Sequence, residues 1–296
     1  MSQAEGLLLK GVGGFYYVQA GDAVYECKAK GIHRKNKITP LAGDAVTITI
    51  NDEGYCSLDE IHPRKNYLNR PPVANVDKLF VLASTCEPSP STFVLDKFTA
   101  IAQDKGIDCA MVFTKTDLAA ADDLVDIYRR SGFETFAVSS LHEEGLAELK
   151  AAMNGKICVL CGNSGVGKST LLNRLCPALQ LETGEISEKL GRGRHTTRQV
   201  ELFRVGEGYI ADTPGFAAID LDGEERIVKE NLPFAFREFL PYLGRCRFTS
   251  CTHVADKGCL ICQAVEEGRI MPSRHESYVA LYNEAKNFKE WELKTK

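Results

Sequence analysis

The 296-residue sequence contains no apolar run of the roughly 18 residues that a membrane-spanning helix needs. Its opening stretch, MSQAEGLLLKGVGG, also lacks the basic flank and the long apolar segment of a secretory signal. These absences argue against a helical membrane protein and against export. We therefore expect a cytoplasmic chain that does not bind membranes.

An excess of positive charge is also absent, because 36 Lys and Arg residues stand against 40 Asp and Glu residues. The formal net charge of −4 argues against nonspecific nucleic-acid binding by the whole surface. Hydrophobic residues make up 44% of the chain, as is ordinary for a folded protein. The length predicts two or three domains.

Cysteine, in contrast, is plentiful, with 11 residues. Seven are scattered, several of them in apolar strand-like runs, and we expect them to be buried small hydrophobes rather than disulfide partners. The other four crowd between positions 246 and 262. Cys246, Cys251, His253 and Cys259 have the spacing C-x4-C-x-H-x5-C, which predicts a closed tetrahedral zinc site with a structural role. Cys262 is a fifth candidate, and its place on the following helix makes it the spare.

Short strands separated by glycine turns fill the first 70 residues, a pattern typical of a small barrel. The Arg70-Pro71-Pro72 stretch is expected to break regular structure as a linker. The expected barrel strands are Phe15–Gln19, Val24–Lys28, Asp44–Ile50 and Tyr55–Ile61.

From Lys78 onward, buried strands alternate with helices, which predicts an α/β domain with a mainly parallel sheet that a hairpin closes. After Asp222 the pattern turns helical and compact. We therefore predict domains at 1–70, 71–222 and 223–296. The expected helices include Phe93–Lys105, Asp122–Ser131, Leu141–Met153 and the tail from Ser277 to Lys296.

The strongest motif is the segment GNSGVGKS, which fits G-x-x-x-x-G-K-[ST] and stands between a strand and a helix. Its glycines let successive backbone N–H groups point at phosphate oxygens, and the helix N-terminus adds its positive end. Lys168 is predicted to reach the β- and γ-phosphates, and the Ser169 hydroxyl to coordinate Mg²⁺. The predicted nucleotide contacts here are Gly162, Asn163, Ser164, Gly165, Val166, Gly167, Lys168, Ser169 and Thr170.

Two segments upstream of this loop predict that the nucleotide is GTP or GDP. Thr114, Lys115, Thr116 and Asp117 resemble the [NT]-K-x-D motif of GTPases. An Asp carboxylate accepts hydrogen bonds from N1–H and the exocyclic amine of guanine, a donor pair that adenine lacks. After the next strand, Ser139 and Ser140 match the serine loop that supports the base.

Two further segments lie downstream of the phosphate loop. Asp212 and Gly215 belong to D-x-x-G, in which the Asp holds Mg²⁺ through water and the Gly N–H meets the γ-phosphate. The stretch GRGRHTTR suits a mobile switch, in which Thr196 or Thr197 completes the Mg²⁺ shell. Ordinary GTPases place the guanine motif after D-x-x-G, so the order here is permuted. Such a rotation needs chain ends that lie close together, as compact domains commonly provide.

With these motifs in this order, the chain resembles the circularly permuted, ribosome small-subunit-dependent GTPase A family over nearly its whole length. The resemblance rests on the sequences ANVD, TKTD, GNSGVGKST, GRGRHTTR and DTPGF and on the cysteine cluster. It implies an N-terminal OB-fold barrel, a permuted α/β GTPase domain and a mainly helical C-terminal zinc domain. It also implies GTP hydrolysis that the small ribosomal subunit stimulates, late in the assembly of that subunit.

Phe216 occupies the position where many GTPases carry the Gln that orients the attacking water. The domain alone is therefore expected to be a slow catalyst. His195, beside the switch threonines, is the candidate aligning group, and the resemblance points the same way; the alternative is a solvated residue with no chemical role. A second interpretation of the chain is an RNA-bound scaffold that holds GTP with little turnover. A third, an ATP-driven factor, is disfavoured by TKTD.

A basic run without acids lies in the expected barrel loop, where OB barrels commonly bind RNA. A solvated loop is the alternative, but the resemblance favours rRNA contact. A second basic stretch, Lys189–Arg198, is expected to touch phosphate or rRNA as well. We expect a monomer. The predicted RNA contacts of the first run are Lys28, Lys30, Arg34, Lys35 and Lys37.

Overall fold

The computed structural model describes residues 2–29, 39–51, 55–179, 200–212 and 226–286. The first five strands close a barrel in the order β1-β2-β3-β5-β4, so the predicted small barrel is confirmed. Leu8, Val18, Ile48 and Leu58 fill its interior and are fully buried. The strands are β1 (Ser2–Val12), β2 (Phe15–Ala20), β3 (Ala23–Ala29), β4 (Ala45–Ile50) and β5 (Cys56–Ile61).

The longest barrel strand, β1, was not among the predicted strands. Its sequence does not alternate cleanly, and its register against β2 shifts between Leu8 and Lys10. A residue added at a bulge turns the following side chains to the other face, which hides the period of two. Gly6 lets β2 approach, because a Cβ there would lie 2.5 Å from the carbonyl oxygen of Gln19.

The expected linker around Arg70 is instead part of a short antiparallel hairpin, so the prediction of irregular structure there is wrong. Strand β6 (Tyr67–Asn69) pairs with β7 (Pro72–Ala74). Pro72 is tolerated because it is the first residue of its strand, a position where the missing N–H disturbs the pairing least.

Six strands then form a mostly parallel sheet in the order β10-β9-β8-β11-β13-β12, which confirms the α/β architecture. The last two strands pair in antiparallel fashion, so the expected closing hairpin is confirmed. The strands are β8 (Lys78–Ser84), β9 (Asp108–Thr114), β10 (Glu134–Val138), β11 (Ile157–Cys161), β12 (Glu201–Val205) and β13 (Gly208–Asp212).

Four helices accompany these strands: α1 (Thr92–Asp104), α2 (Asp122–Arg130), α3 (Leu146–Met153) and α4 (Lys168–Leu175). A 3₁₀ turn follows at Pro177–Leu179. Helix α3 begins five residues later than the expected Leu141. Gly145 adopts a left-handed φ of 71° just before it, and Ser139 bridges to Glu144, so the preceding residues form a turn.

The C-terminal part is compact and mainly helical, as predicted. Phe236, Phe239 and Tyr278 are fully buried at its centre, and the two phenylalanine rings stack with centroids 5.2 Å apart. The final helix begins before the expected Ser277, at a proline, whose fixed φ suits a first helical position. The elements are 3₁₀ turns at Leu232–Ala235 and Arg237–Tyr242 and helices α5 (Leu260–Glu266) and α6 (Pro272–Ala285).

Two compact units divide the chain, each assembled from three stretches. The barrel unit comprises Met1–Lys78, Lys150–Leu160 and Leu172–Ala217, and the zinc unit comprises Leu79–Leu149, Cys161–Leu171 and Ala218–Lys296. The domain limits of 70/71 and 222/223 stay predictions. Among the described residues, no helix combines the length and the apolar character that crossing a bilayer requires.

Candidate nucleotide and metal sites

The phosphate loop occupies residues 162–167, between strand β11 and helix α4. Gly162 has a φ of 152°, and a Cβ there would lie 2.5 Å from the carbonyl oxygen of Leu82. Gly165 and Gly167 are left-handed as well, with φ values of 81° and 89°. The chain therefore turns in a way that side chains with a Cβ would resist.

Lys168, the first residue of α4, turns its side chain back over this loop. Its Nζ donates a hydrogen bond to the carbonyl oxygen of Gly162 at 2.9 Å. Burial lowers the pKa of this ammonium, because the charged form loses water. An anionic ligand in the loop would offset that cost. Ser169 is half-buried and Thr170 exposed on the same first turn, whereas Asn163 and Ser164 are exposed at the tip of the loop.

Thr114 ties the guanine motif to the phosphate loop. Its hydroxyl donates to the carbonyl oxygen of Val166 at 2.5 Å, across 52 residues of sequence. The next residue, Lys115, has a left-handed φ of 60° and donates from Nζ to the carbonyl oxygen of Glu87 at 2.7 Å. The structure thus brings together two motifs that the sequence keeps apart.

Asp117 and the serine loop also meet. The Ser139 hydroxyl donates to Oδ1 of Asp117 at 2.7 Å, and this hydrogen bond lowers the pKa of the carboxyl group. Thr116 donates its backbone N–H to the carbonyl oxygen of Val138 at 3.4 Å, and Ser140 is half-buried beside it. An ionised carboxylate is thereby held at the carboxyl ends of two neighbouring parallel strands, β9 and β10.

Sequence reasoning missed the segment that follows β8. Thr85 donates from its hydroxyl to the carbonyl oxygen of Lys115 at 2.8 Å, and Glu87 accepts the Lys115 ammonium as described. Pro88 lies 3.4 Å from a Cβ built on Gly165. The only signal in the sequence is position, because ligands of open α/β sheets bind at the carboxyl ends of strands.

The predicted magnesium and switch residues are only partly described. Asp212 is the last residue of β13, which runs parallel to β11 with Ala211 opposite Val159. The other predicted switch residues lie outside the described residues, as does Phe216: they are His195, Thr196, Thr197 and Gly215.

Four ligand atoms of the predicted zinc cluster lie within 4.8 Å of one another: those of Cys246, Cys251, His253 and Cys259. The Nδ1 atom of His253 is 3.6 Å from Sγ of Cys246 and 3.5 Å from Sγ of Cys259. The two sulfurs are 4.0 Å apart. A tetrahedral zinc ion with usual bond lengths needs edges of about 3.8 Å between sulfurs and about 3.6 Å from sulfur to nitrogen, so the cluster fits one.

The surrounding groups hold this cluster in place. His253 has a left-handed φ of 61°, and its carbonyl oxygen accepts a hydrogen bond from Nε2 of His275 at 2.8 Å. The Leu260 N–H points at Sγ of Cys246 at 3.4 Å, as an amide does toward a thiolate. Burial raises the pKa of Cys251 to about 12, so a bound cation is needed to keep it a thiolate at neutral pH.

Cys262 stands apart from the four. Its Sγ lies 3.8 Å from the carbonyl oxygens of His253 and Val254, and its backbone N–H points at Sγ of Cys259. All 11 cysteines of the chain lie among the described residues, and none of them forms a disulfide.

Of the predicted RNA contacts, Lys28 is the one that lies among the described residues. Its side chain is exposed, with Nζ 4.0 Å from the ring centroid of Tyr55 and 5.1 Å from that of Phe15. The remaining four, Lys30, Arg34, Lys35 and Lys37, lie outside the described residues.

A guanine motif that precedes a phosphate loop, on a parallel sheet that a hairpin closes, defines a circularly permuted P-loop GTPase. The RsgA GTPase family model matches residues 61–222, and the RsgA N-terminal domain model matches residues 5–56. The chain belongs to the RsgA GTPase family, and the expected family and class of enzyme are confirmed.

Curated relatives and solved structures agree along almost the full length. The small ribosomal subunit biogenesis GTPase RsgA of Alkaliphilus metalliredigens is 43% identical, over 96% of this chain and 98% of that protein. Its counterpart in Geobacillus thermodenitrificans is 42% identical, over 97% and 99%. The crystal structure of YloQ, a circularly permuted GTPase, matches with a TM-score of 0.81 at 34% identity, over 97% and 96%. YjeQ from Thermotoga maritima matches with a TM-score of 0.82 at 31% identity, over 97% and 100%.

Proposed function

We propose that this protein hydrolyses GTP under stimulation by the small ribosomal subunit and acts as a checkpoint late in the assembly of that subunit. The choice of the small ribosomal subunit as partner is based on the names of the relatives, which are small ribosomal subunit biogenesis GTPases. The observation that carries the proposal for this chain is the hydrogen bond from Thr114 to Val166, which ties the guanine motif to the phosphate loop.

Guanine recognition follows from the chemistry of Asp117. One carboxylate oxygen already accepts the Ser139 hydroxyl, and this bond favours the ionised form. A carboxylate has about four lone-pair sites, so acceptor capacity is left for N1–H and the exocyclic amine of guanine. Adenine offers an acceptor at N1 and would face the same charge unfavourably. The full set of base contacts in this proposal is Thr114, Lys115, Thr116, Asp117, Ser139 and Ser140.

The phosphates bind to the loop 162–167 and to Lys168, Ser169 and Thr170 in this proposal. A bound Mg²⁺ would neutralise charge that develops on the β- and γ-phosphates. Ser169 and Asp212 would hold it together with Thr196 or Thr197, and the Gly215 N–H would meet the γ-phosphate. The buried Lys168 ammonium supports this arrangement, since its lowered pKa reflects a charge that lacks water and favours an anion.

Hydrolysis needs an oriented water, and Phe216 offers it no hydrogen bond. We assign the aligning role to His195, brought into position when the subunit binds. Intrinsic turnover is then slow and the stimulated rate fast. Phe216 equally favours the second candidate, an RNA-bound scaffold that holds GTP with little turnover.

The zinc and RNA assignments complete the proposal. Cys246, Cys251, His253 and Cys259 hold one structural Zn²⁺, and the distances between their ligand atoms support this assignment. The basic run from Lys28 to Lys37 contacts rRNA, which the exposure of Lys28 supports. A cytoplasmic monomer with domains 1–70, 71–222 and 223–296 remains part of the proposal.

The test is GTP turnover with and without purified small subunits, with ATP as competitor. We expect a low basal rate, a strong increase with subunits and no competition by ATP. A rate that stays flat as subunits are added would favour the scaffold instead. Lys168→Ala should abolish both rates, whereas His195→Ala should remove the stimulated rate alone; unchanged stimulation in the latter would exclude the aligning role.

A further inference from the structure

We propose that a row of side chains across the barrel positions the hairpin that carries Asp212, and that the ion pair between Lys10 and Glu201 is the link between the two. The row consists of Glu26, Tyr17, Lys10 and Glu201. Lys10 and Glu201 are positioning residues in this inference, which rests on the proposed function because the hydrolysis concerned is the subunit-stimulated one.

The barrel part of the row follows the register of three strands. Glu26 on β3 is directly opposite Tyr17 on β2, and Tyr17 is directly opposite Lys10 on β1. The Tyr17 hydroxyl donates to Oε2 of Glu26 at 2.8 Å, and the Lys10 ammonium lies 5.3 Å from the Tyr17 ring centroid. Side chains directly opposite on one face of a sheet contact each other, so the three act together.

The row starts at the strand that carries the predicted RNA contact. Lys28 lies two residues after Glu26 on β3, on the same side of the strand by alternation. Polyanion binding at Lys28 therefore changes the charge next to the first member of the row.

The side chain of Lys10 contacts a residue outside the barrel. Its Nζ lies 2.7 Å from Oε1 of Glu201, the first residue of β12, in the same compact unit. The register shift of β1 falls between Leu8 and Lys10. Irregularities of this kind re-aim the side chain that follows. Strand β1 is thus irregular next to Lys10, whose side chain contacts a residue 191 positions further along the chain.

Glu201 lies opposite a residue that the proposed function places at the Mg²⁺ site. In the β12–β13 hairpin its register partner is Asp212, the first residue of D-x-x-G. The predicted switch with Thr196 and Thr197 ends only a few residues before Glu201 in the chain. A displacement of Glu201 therefore bears directly on the backbone at Asp212.

The solvent exposure of the pair argues against a large contribution to stability. The Lys10 and Glu201 side chains are 32% and 36% exposed. Ion pairs of this exposure stabilise folded chains little. In this inference the pair orients strands β1 and β12, and its attraction responds to a polyanion nearby because the charges are exposed.

The experiment compares Lys10→Glu, Glu201→Lys and the double exchange in the full-length protein. Turnover of GTP is measured alone and with saturating small subunits, and subunit binding is measured by co-sedimentation. We expect each single variant to keep its basal rate and its binding within about twofold and to lose stimulation by about fivefold or more. The double exchange should restore most of the stimulated rate.

Arg204→Glu is the matched control, because it reverses a charge on an exposed side chain of the same strand outside the row. It should behave as the unmodified protein does. Single variants with full stimulation would overturn the inference, as would a folded double exchange that stays as impaired as the singles. A loss explained wholly by weaker subunit binding would also overturn it.

Failure of the proposed function is recognised separately. If the unmodified protein shows no stimulation by subunits, the proposed function fails, and the inference fails with it. If the unmodified protein is stimulated and only the variants behave contrary to expectation, the inference alone is wrong.

Discussion

The two accessory parts of this protein are attached in opposite ways. In the barrel unit, Lys10 meets Glu201 of the β12–β13 hairpin through a pair that is about one-third exposed on each side. In the zinc unit, Arg274 of helix α6 meets Asp96 of helix α1 and Glu238 through pairs that are almost completely buried. Water and salt ions can reach the Lys10–Glu201 pair, whereas the pairs of Arg274 are shielded from both.

The buried attachment is a dense network. Arg274 donates from Nη1 to Oδ1 of Asp96 and from Nε to Oε1 of Glu238, both at 2.6 Å. Tyr128 of helix α2 donates to the same Asp96 oxygen at 2.8 Å. Burial by itself would lower the pKa of the guanidinium, but the charges of Glu238 and Asp96 outweigh it and raise the pKa. Arg274 therefore stays charged, and removing it would leave two buried acids without their cationic partner.

The two attachments should therefore respond differently to salt. Helix α1 directly follows the segment with Thr85 and Glu87 that holds Lys115. The part with the cysteine cluster is therefore joined through a buried ion pair to a helix next to the predicted guanine motif. The barrel instead meets the β12–β13 hairpin through a pair that ions can weaken. We therefore expect the buried attachment to resist salt and the exposed attachment to respond to it.

Zinc removal should have the largest effect, because the short loop of the cluster has little apolar core of its own. Structural zinc sites contribute on the order of 10 kcal/mol of binding free energy to folding. Chelation should therefore unfold the C-terminal part and lower the Tm of the zinc unit steeply, as calorimetry would show. Cys246→Ser should lose the metal, whereas Cys262→Ser should retain about one zinc per chain by metal analysis. An unchanged melting curve after complete chelation would contradict the structural role.

Arg274→Met should have the second-largest effect on stability. The substitution leaves Asp96 and Glu238 buried without a cation. Breaking a buried pair in this way lowers the free energy of unfolding by about 3–5 kcal/mol. Urea unfolding measures the loss. Arg269→Met removes an Arg side chain that is 52% exposed and should cost under about 1 kcal/mol. Equal losses in the two variants would remove the distinction between the attachments.

Gly162→Ala extends the test of rigidity to the phosphate loop. The new Cβ would lie 2.5 Å from the Leu82 carbonyl oxygen in a backbone conformation that favours glycine. We expect GTP affinity to fall about tenfold or more, because a strained backbone of this kind costs roughly 1–3 kcal/mol. Gly155→Ala is the control, since it shares a left-handed φ, here 67°, but its Cβ would meet nothing within 4 Å. Fluorescent-nucleotide titration distinguishes them, and equal affinities would show that the loop adapts.

Lys10→Ala should change stability least, by about 0.2–1 kcal/mol at low salt. Because salt screens exposed charges, the difference from the unmodified protein should vanish near 1 M NaCl. The loss caused by Arg274→Met should persist there, because the pair is buried. Unfolding curves at two salt concentrations compare the two variants, and a salt-independent effect of Lys10→Ala would contradict an open attachment.

Local chemistry was readable from the sequence alone. The phosphate loop, the guanine motif and the zinc ligands each need particular residues at short fixed spacings, so a contiguous segment carries the whole signal. Glycines at positions 162, 165 and 167 indicate a backbone conformation that is strained for residues with a Cβ. The permuted order of the motifs, and with it the class of protein, follows from the chain itself.

Only the tertiary structure decided how these local pieces meet. The register shift in β1 hid the longest barrel strand, and strand pairing made a hairpin of the expected linker at Arg70. Thr114 reaches Val166 across 52 residues, Arg274 reaches Asp96 across 178, and Lys10 reaches Glu201 across 191. The partner of a lone threonine, arginine or lysine depends on which elements the sheet and the helices place beside it. No spacing within one segment contains that information.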